Sequence, residues 1–415
     1  MSLTFHWFLP TNGGDGRDVV GGGHGADVVQ SSNGRPASVA YLGQIARSAE
    51  QLGFEAALTP TGAWCEDAWV TTAMLSPLTE RLKFLVAFRP GLLSPFLAAQ
   101  MAATYQNLSG GRLLLNVVTG GESREQRMFG DFLDKDGRYA RCDEFLTVVR
   151  ALWRGETVTF EGEHLQVEDA VLTQVPDPLP EIYFGGSSPA AGQVAAKHAD
   201  VYLTWGEPPA AVAEKVSWIK GLAAEAGRDL RFGIRLHTIA RDTSADAWAE
   251  ADRLLSGISE EKIQEVQAGL KRSESEGQRR MLDLNRGSKA DLEIHPNLWA
   301  GVGLVPAPRW SAATPRSPTW WSSTPRSASP SSCSRATRTS RRPTGSARAS
   351  SRSSRDAASG PAPPRAAGPA RSRSPRRRGR RPRDGHPHRG RRGQPAAALA
   401  DLVLGDLRRP LPDRQ

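Results

Sequence analysis

With 415 residues, and 54 Lys and Arg against 44 Asp and Glu for a formal charge of +10, the chain has room for one large α/β domain or two ordinary ones. Its three cysteines, Cys65, Cys142 and Cys333, stand at unrelated spacings and offer neither a disulfide framework nor a zinc pattern, which suits a reducing cytosol. The opening MSLTFHWFLP lacks the basic flank and apolar run of a signal peptide, and stretches such as Leu113–Val118 are far too short to cross a bilayer, so a soluble cytoplasmic protein without a membrane partner is expected.

Short apolar runs alternate with helical patterns through the first 305 residues. Strands are predicted at Leu3–Leu9, Phe54–Thr59, Leu82–Phe88, Arg112–Val118, Glu181–Phe184, Val201–Thr204 and Phe232–Ile239. All are continuously apolar and rich in β-branched or aromatic residues, as parallel strands covered on both faces should be. The first helix, Ser38–Leu52, places Leu42, Ile45, Ala46, Ala49 and Leu52 on one stripe, with Ser38 as N-cap and Gly53 as stop. Helices at Glu66–Leu75, Pro95–Leu108, Arg138–Trp153, Pro189–His198 and Pro208–Ala226 repeat the pattern. Glu156–Val175 alternates around Gly162 and reads as a hairpin insertion. Asp242–Asn285 is a charged helical excursion, after which the chain returns at Leu298–Val305. Repeated βα units favour a parallel sheet with right-handed crossovers. Seven core strands fit a doubly wound sheet, or a (β/α)₈ barrel one strand short, and periodicity does not choose between them.

In either architecture the chemistry sits on loops after the C-terminal ends of strands. Gly185-Gly186-Ser187-Ser188 lies between a strand and a helix opening at Pro189, where free N–H groups suit a phosphate; a bare Gly-Gly-Ser-Ser is a weak signal, and a plain turn with Ser188 as N-cap is the ordinary reading. Arg235 and His237 are two apart on one strand and share a face, an arrangement that can hold an anionic substrate and manage a proton. The alternative is an Arg paired with a carboxylate and a His satisfied in the core. Cys65 opens a helix just ahead of Glu66 and Asp67; the helix end lowers a thiol pKa and the two carboxylates raise it, and a buried structural cysteine is the ordinary reading. Trp64, Trp69 and Trp205 wall an apolar pocket or simply fill core. No H-E-x-x-H, paired C-x-x-C or G-x-S-x-G occurs, so metal hydrolysis and acyl transfer have no support and no metal ligands are assigned.

The segments FHWFLPT, LTPTGAWCEDAW, RLKFLVAFRPGLLSP, NVVTGGE, YFGGSS, YLTWGEPP, FGIRLH and NLWAGVGLV follow in this order over nearly all of Met1–Val305. Together they make the chain resemble the flavin-dependent alkanesulfonate monooxygenases of the bacterial-luciferase-like superfamily. The resemblance implies a TIM (β/α)₈ barrel. It also implies a two-component system: a separate NAD(P)H-dependent FMN reductase supplies reduced FMN (FMNH2), and with O2 as co-substrate an alkanesulfonate becomes aldehyde plus sulfite. The flavin carries the hard chemistry and the protein supplies position and electrostatics. By matching motif positions, Cys65, His237 and Arg235 look like the family's active-site cysteine, its histidine and its sulfonate-binding arginine, which reverses the ordinary reading of Cys65. Thr119, Gly120, Tyr139, Gly186, Ser187 and Ser188 are implied to bind the cofactor, the two serines at its phosphate. Asn12 and Trp205 are implied to line the substrate pocket, and a homo-oligomer is compatible with the family. Asn12 stands where the alkanesulfonate enzymes often have His, and Val19–Gly25 is longer than expected; both leave room for a sulfone or related small molecule as substrate.

Composition breaks between Val305 and Pro306. Residues 306–415 hold 25 Arg and 5 Asp and no Lys or Glu, a net of +20, whereas residues 1–305 carry 29 basic against 39 acidic side chains, a net of −10. Arg/Ser/Pro/Ala/Gly composition cannot bury a core, so a disordered tail following a truncated barrel domain is expected. A sharper reading is a lost reading frame. GC-rich codons for Arg309–Pro325, read one base out of phase, give VVGSHAEVADLVVEYA, and Arg326–Ser354 give ALGIAEFVLSGYPHLEEAYWFGEGVLPEL. These resemble the helix, strand and loop that family members carry after NLWAGVGLV; the Tyr of that stretch would lie across the codons of Ala336 and Thr337 and is not encoded in the present frame, and Pro306 stands in place of a mobile-loop Arg. A barrel lacking its eighth strand should leave strands one and seven with bare edges. The competing class of function is nucleic-acid binding by the tail. With no Lys, no recognised fold, and only Trp310, Trp320 and Trp321 as aromatic residues, such binding would be salt-sensitive, non-specific and incidental.

Overall fold

The computed structural model describes residues 3–13, 35–256, 261, 264, 268, 274–285, 292–300, 311–313 and 400–405, with the backbone alone at 237, 281, 282, 285, 311–313 and 400–405. All of them belong to one compact unit, 1–320 with 396–415. The Val19–Gly25 stretch, Pro306 and most of the basic segment lie outside the described residues.

Seven strands run parallel in the order β1 (Thr4–Phe8), β2 (Ala56–Thr59), β3 (Lys83–Phe88), β4 (Leu113–Val117), β7 (Glu181–Gly185), β8 (Val201–Trp205) and β9 (Arg231–Ile239). The gap in numbering is the expected insertion, the hairpin β5 (Val158–Glu161) and β6 (Gln166–Ala170). Its turn is held by Glu144, whose carboxylate accepts the backbone N–H groups of Glu163, His164 and Leu165 at 2.9–3.0 Å. The seven parallel strands curl, with the helices outside them, which is the barrel-type α/β arrangement. That resolves the choice left open by strand count in favour of the barrel type.

Period-2 alternation sorts each strand into two faces. Phe84, Val86, Leu113, Leu115, Ile182, Phe184, Tyr202 and Phe232 turn outward into the core shared with the helices. Ala56, Leu58, Leu85, Leu114, Tyr183 and Val201 turn inward and pack on one another inside the curl. Each fully buried Phe or Leu contributes roughly 1.5–3 kcal/mol, so the outer layer supplies most of the apolar stabilisation.

The helices α1 (Val39–Gln51), α2 (Ala68–Leu75), α3 (Pro95–Ser109), α4 (Ser123–Met128), α5 (Lys135–Trp153), α6 (Pro189–His198), α7 (Pro209–Glu225), α8 (Ser244–Ser256) and α9 (Glu276–Asn285) follow the predicted pattern with instructive shifts. Ser38 caps α1 through Tyr41 N–H, as expected. The second helix begins at Ala68 because Asp67 is its N-cap and accepts from Val70 N–H at 2.9 Å; Cys65 therefore lies in the loop before the helix rather than at its first turn. α5 begins three residues before the predicted Arg138 because Asp134 accepts from Gly137 N–H. No helix among the described residues is long and apolar enough to cross a membrane.

Two short segments of 306–415 join the sheet. β12 (Ser311–Ala313) runs parallel to β9 and antiparallel to the small strand β11 (Leu298–Trp299), itself paired with β10 (Glu293–His295). β13 (Ala400–Gly405) lies between β9 and β1, antiparallel to both, in registers Leu402↔Leu236 and Phe5↔Leu404. The edges expected to be bare on the first and seventh strands are thus paired, by a strand running against the other seven.

Candidate active site at the mouth of the sheet

A cavity of about 200 Å³ opens at the C-terminal ends of the parallel strands, where this architecture places its chemistry. Its wall includes Thr119, Gly120, Tyr139, Gly186, Ser187, Ser188, Trp205 and Arg235, so eight of the predicted site residues meet in one place. A larger cavity, about 540 Å³, lies at the opposite ends of the strands among Arg150, Glu181, Asp200 and Arg231. Arg150, Asp200, Glu181 and Arg231 of its wall are engaged in ion pairs (Arg150–Asp200 and Arg228–Asp200 at 3.0 Å, Arg231–Glu181 at 2.5 Å), and that face serves stability in such folds.

The end of β7 is built as a cradle. Gly185 ends the strand, Gly186-Ser187 turn the chain, and Ser188 caps α6 by accepting Ala191 N–H at 3.3 Å. Pro189 at the first helical position has no N–H to lose. Gly186 is required by space: a Cβ there would lie 2.5 Å from the Ala191 Cβ and 3.2 Å from the Tyr139 Oη. Burial pushes the Tyr139 phenol up, against hydrogen bonds with Thr119 and Ser188. Tyr202 Oη donates to Gly186 O from behind and fixes the turn. Gly120, after β4, adopts φ +82°, where a side chain is strained, and a Cβ there would sit 1.6 Å from Gln126 Nε2 and displace that side chain.

The remaining predicted residues divide. Arg235 points inward from β9 and stacks on Phe8, its guanidinium carbon 4.7 Å from the ring centroid. Trp205, at the end of β8, faces Gly277. Cys65 is not among the cavity-lining residues; its thiol donates to Pro60 O at 3.7 Å and Gly62 O at 3.6 Å, and burial pushes it up to about 12, so it is a neutral thiol. Asn12, after β1, is also outside the lining. The His237 backbone lies in β9 beside Asp401 and Ser311, and its side chain lies outside the described residues.

Sequence reasoning missed several charged groups of the mouth. Glu207 accepts from Lys215 Nζ and Arg280 Nε, each at 2.5 Å, tying the end of β8 to α7 and α9. Burial pulls the Lys215 ammonium down, against the attraction of Glu207. Arg138, buried at the start of α5, donates to Glu274 at 2.8 Å, and Glu274 N–H donates to Gly121 O, so residues 274–278 border the mouth. Arg89 and Glu125 form a buried pair at 2.6 Å. These partners are 8 to 136 positions apart in sequence, and only the fold reveals their pairing.

A family model described as luciferase-like monooxygenase matches residues 3–306. Among solved structures, a riboflavin lyase with modified FMN and riboflavin aligns at TM-score 0.61 and 18% identity, covering 75% of this chain and 82% of that one. An EDTA monooxygenase from Chelativorans sp. BNC1 aligns at TM-score 0.53 and 18% identity, covering 62% and 68%. A long-chain alkane monooxygenase aligns at TM-score 0.50 and 21% identity, covering 54% of this chain; the chain spans 62% of that protein's length. At these identities the likeness is one of fold.

Proposed function

The chain belongs to the luciferase-like monooxygenase family, and from that premise we propose that its mouth cavity takes reduced FMN and that the protein is the oxygenase of a two-component alkanesulfonate monooxygenase. A separate NAD(P)H-dependent FMN reductase is its partner, O2 its co-substrate, and aldehyde plus sulfite its products. The observation that carries this reading is the cradle at Gly186-Ser187-Ser188, where a phosphate would meet the N-terminal end of α6, two hydroxyls and the Tyr139 phenol.

Bound reduced FMN would supply the oxygen-activating chemistry. The chain's own residues bind, orient and exclude water. Ser187 and Ser188 hold the phosphate, with Thr119 and Tyr139 beside it. Arg235, inward on β9, receives the sulfonate, its charge kept on the cavity side by the Phe8 ring. Trp205 gives the alkyl chain an apolar wall, with Asn12 at the rim, and His237, two residues along the Arg235 strand, manages the proton. Cys65, as a neutral thiol, serves as a hydrogen-bond donor rather than a nucleophile.

We also propose that 306–415 are a frame-shifted reading of the family's last helix, strand and loop. The coding DNA tests this: the alternative frame should run open from near codon 306 and encode VVGSHAEVADLVVEYA, and a stop codon within it contradicts the reading. For the reaction, purified protein is supplied with an FMN reductase, NADH, FMN and a medium-chain alkanesulfonate, and sulfite is measured. Sulfite release above the reductase-alone background is expected and should fall at least about tenfold in Arg235→Ala, as removal of a charged hydrogen bond implies. Turnover of a dialkyl sulfone without sulfite release from alkanesulfonates would move the substrate to the sulfone class.

A further inference from the structure

Arg89 follows the inward positions Leu85 and Ala87 beyond the end of β3, and it lines the mouth cavity. Its side chain is only 3% exposed. One guanidinium nitrogen, Nη2, donates to Glu125 Oε2 at 2.6 Å, and the other oxygen of Glu125 accepts Ala63 N–H at 2.8 Å. The guanidinium carbon sits 5.0 Å from the Phe129 ring centroid. The two remaining edges, Nε and Nη1, are buried and have no partner among the described residues. Buried guanidinium donors are normally paired, and an exception at a cavity wall calls for an explanation, of which a ligand is one.

Resting on the FMN reading above, we propose that Arg89 is a flavin-binding residue, one of whose two unpartnered nitrogens donates to the acceptor edge of the isoalloxazine ring, the N1 and C2 carbonyl side that gains negative charge on reduction. The phosphate cradle stands at the end of β7 and Arg89 at the end of β3, with β4 between them. Two strand spacings are about 10 Å, a distance that a tricyclic ring on a short chain spans. Thr119 and Gly120, at the end of β4, lie along the same cavity. The choice of a carbonyl edge over a sulfonate follows from Glu125. Its carboxylate already balances the guanidinium, so Arg89 offers directed donors with little net charge, which favours an acceptor of partial charge.

The test compares affinities for two redox states of one ligand, a readout that general loosening of the site does not split. Binding of oxidised FMN is followed by fluorescence quenching and binding of reduced FMN by anaerobic titration, in wild type, Arg89→Met, Arg89→Lys and the double variant Arg89→Met/Glu125→Gln. The double variant leaves no lone buried carboxylate, and circular dichroism checks that each protein folds. Arg89→Met and the double variant should lose at least about tenfold in affinity for reduced FMN and much less for oxidised FMN. Arg89→Lys, which keeps the pair with Glu125 but loses the planar fork, should fall between. Equal losses for both states, or no loss, overturn the assignment while wild-type binding leaves the FMN reading standing. Wild-type protein that binds neither state overturns both.

Discussion

His6 occupies an inward position of β1, fully buried, with its ring 5.7 Å from that of Tyr183 and neither nitrogen paired among the described residues. Burial lowers its pKa from 6.5 to about 4, outweighing the pull of Glu55; Lys83 and Arg231 push the same way as burial. A histidine with a depressed folded pKa stabilises the fold fully above its ordinary value, and that stability is lost as pH falls from 6.5 towards 4. The loss amounts to about 3 kcal/mol. Urea unfolding of wild type and His6→Phe between pH 7.5 and 4.5 checks it on the shared pH scale. The difference between the two proteins should shrink or invert towards acid, and parallel curves would contradict the burial argument. Cys65 makes a second prediction. A thiol raised from 9.0 to about 12 carries about a thousandfold less thiolate at neutral pH. Peptide mapping after brief iodoacetamide treatment at pH 8 should therefore find Cys65 far less modified in folded than in urea-unfolded protein. Rapid modification of the folded protein would refute its neutral state.

At the scale of elements, the joint of β8, α7 and α9 depends on one carboxylate. Glu207 and Lys215 have side chains 2% and 6% exposed, so removing one partner strands the other. Glu207→Gln should cost about 3 kcal/mol, and Glu207→Gln/Lys215→Met should recover much of it, in denaturant titrations of the full cycle. An additive cycle would show that the two do not act as a pair. The elements themselves were largely legible in the sequence, because continuous apolar runs mark strands buried on two faces and regular stripes mark the helices. α4 was not legible: SREQRM has no apolar stripe, and the residues it buries are the polar Glu125 and Gln126. The cradle at Gly186–Ser188 was visible as glycines between a strand and a helix, with Ser188 doubling as the cap. Arg89 was hidden, although its parity with Leu85 and Ala87 was a usable signal. Its partner Glu125 lies 36 residues away on the helix that sequence reasoning missed.

For the whole molecule, the seam at Val305 separates a domain read from its own composition from a segment whose described residues add the short β12 beside β9 and, between β9 and β1, the strand β13 of opposite sense. β13 pairs along its full length with β9 and over three positions with β1. Removing 396–415 should expose both edges, and an open edge is a template for association. The truncated protein should melt lower and aggregate faster by light scattering than the full chain. Indistinguishable melting would show that β13 does not hold the sheet closed. A chain with the alternative frame restored after Val305 supplies a parallel eighth strand by the frame-shift proposal, and it should melt higher than either.

The central claim is that the cavity beyond β7 is a flavin phosphate site. Anaerobic titration of the full chain with reduced FMN and with reduced riboflavin, which lacks only the phosphate, tests it most directly. FMN should bind at least about tenfold more tightly, the worth of charge-assisted hydrogen bonds to one anionic group. The preference should shrink in Ser187→Ala/Ser188→Ala. Equal affinity for the two flavins, or a preference that survives loss of both serines, would contradict the account.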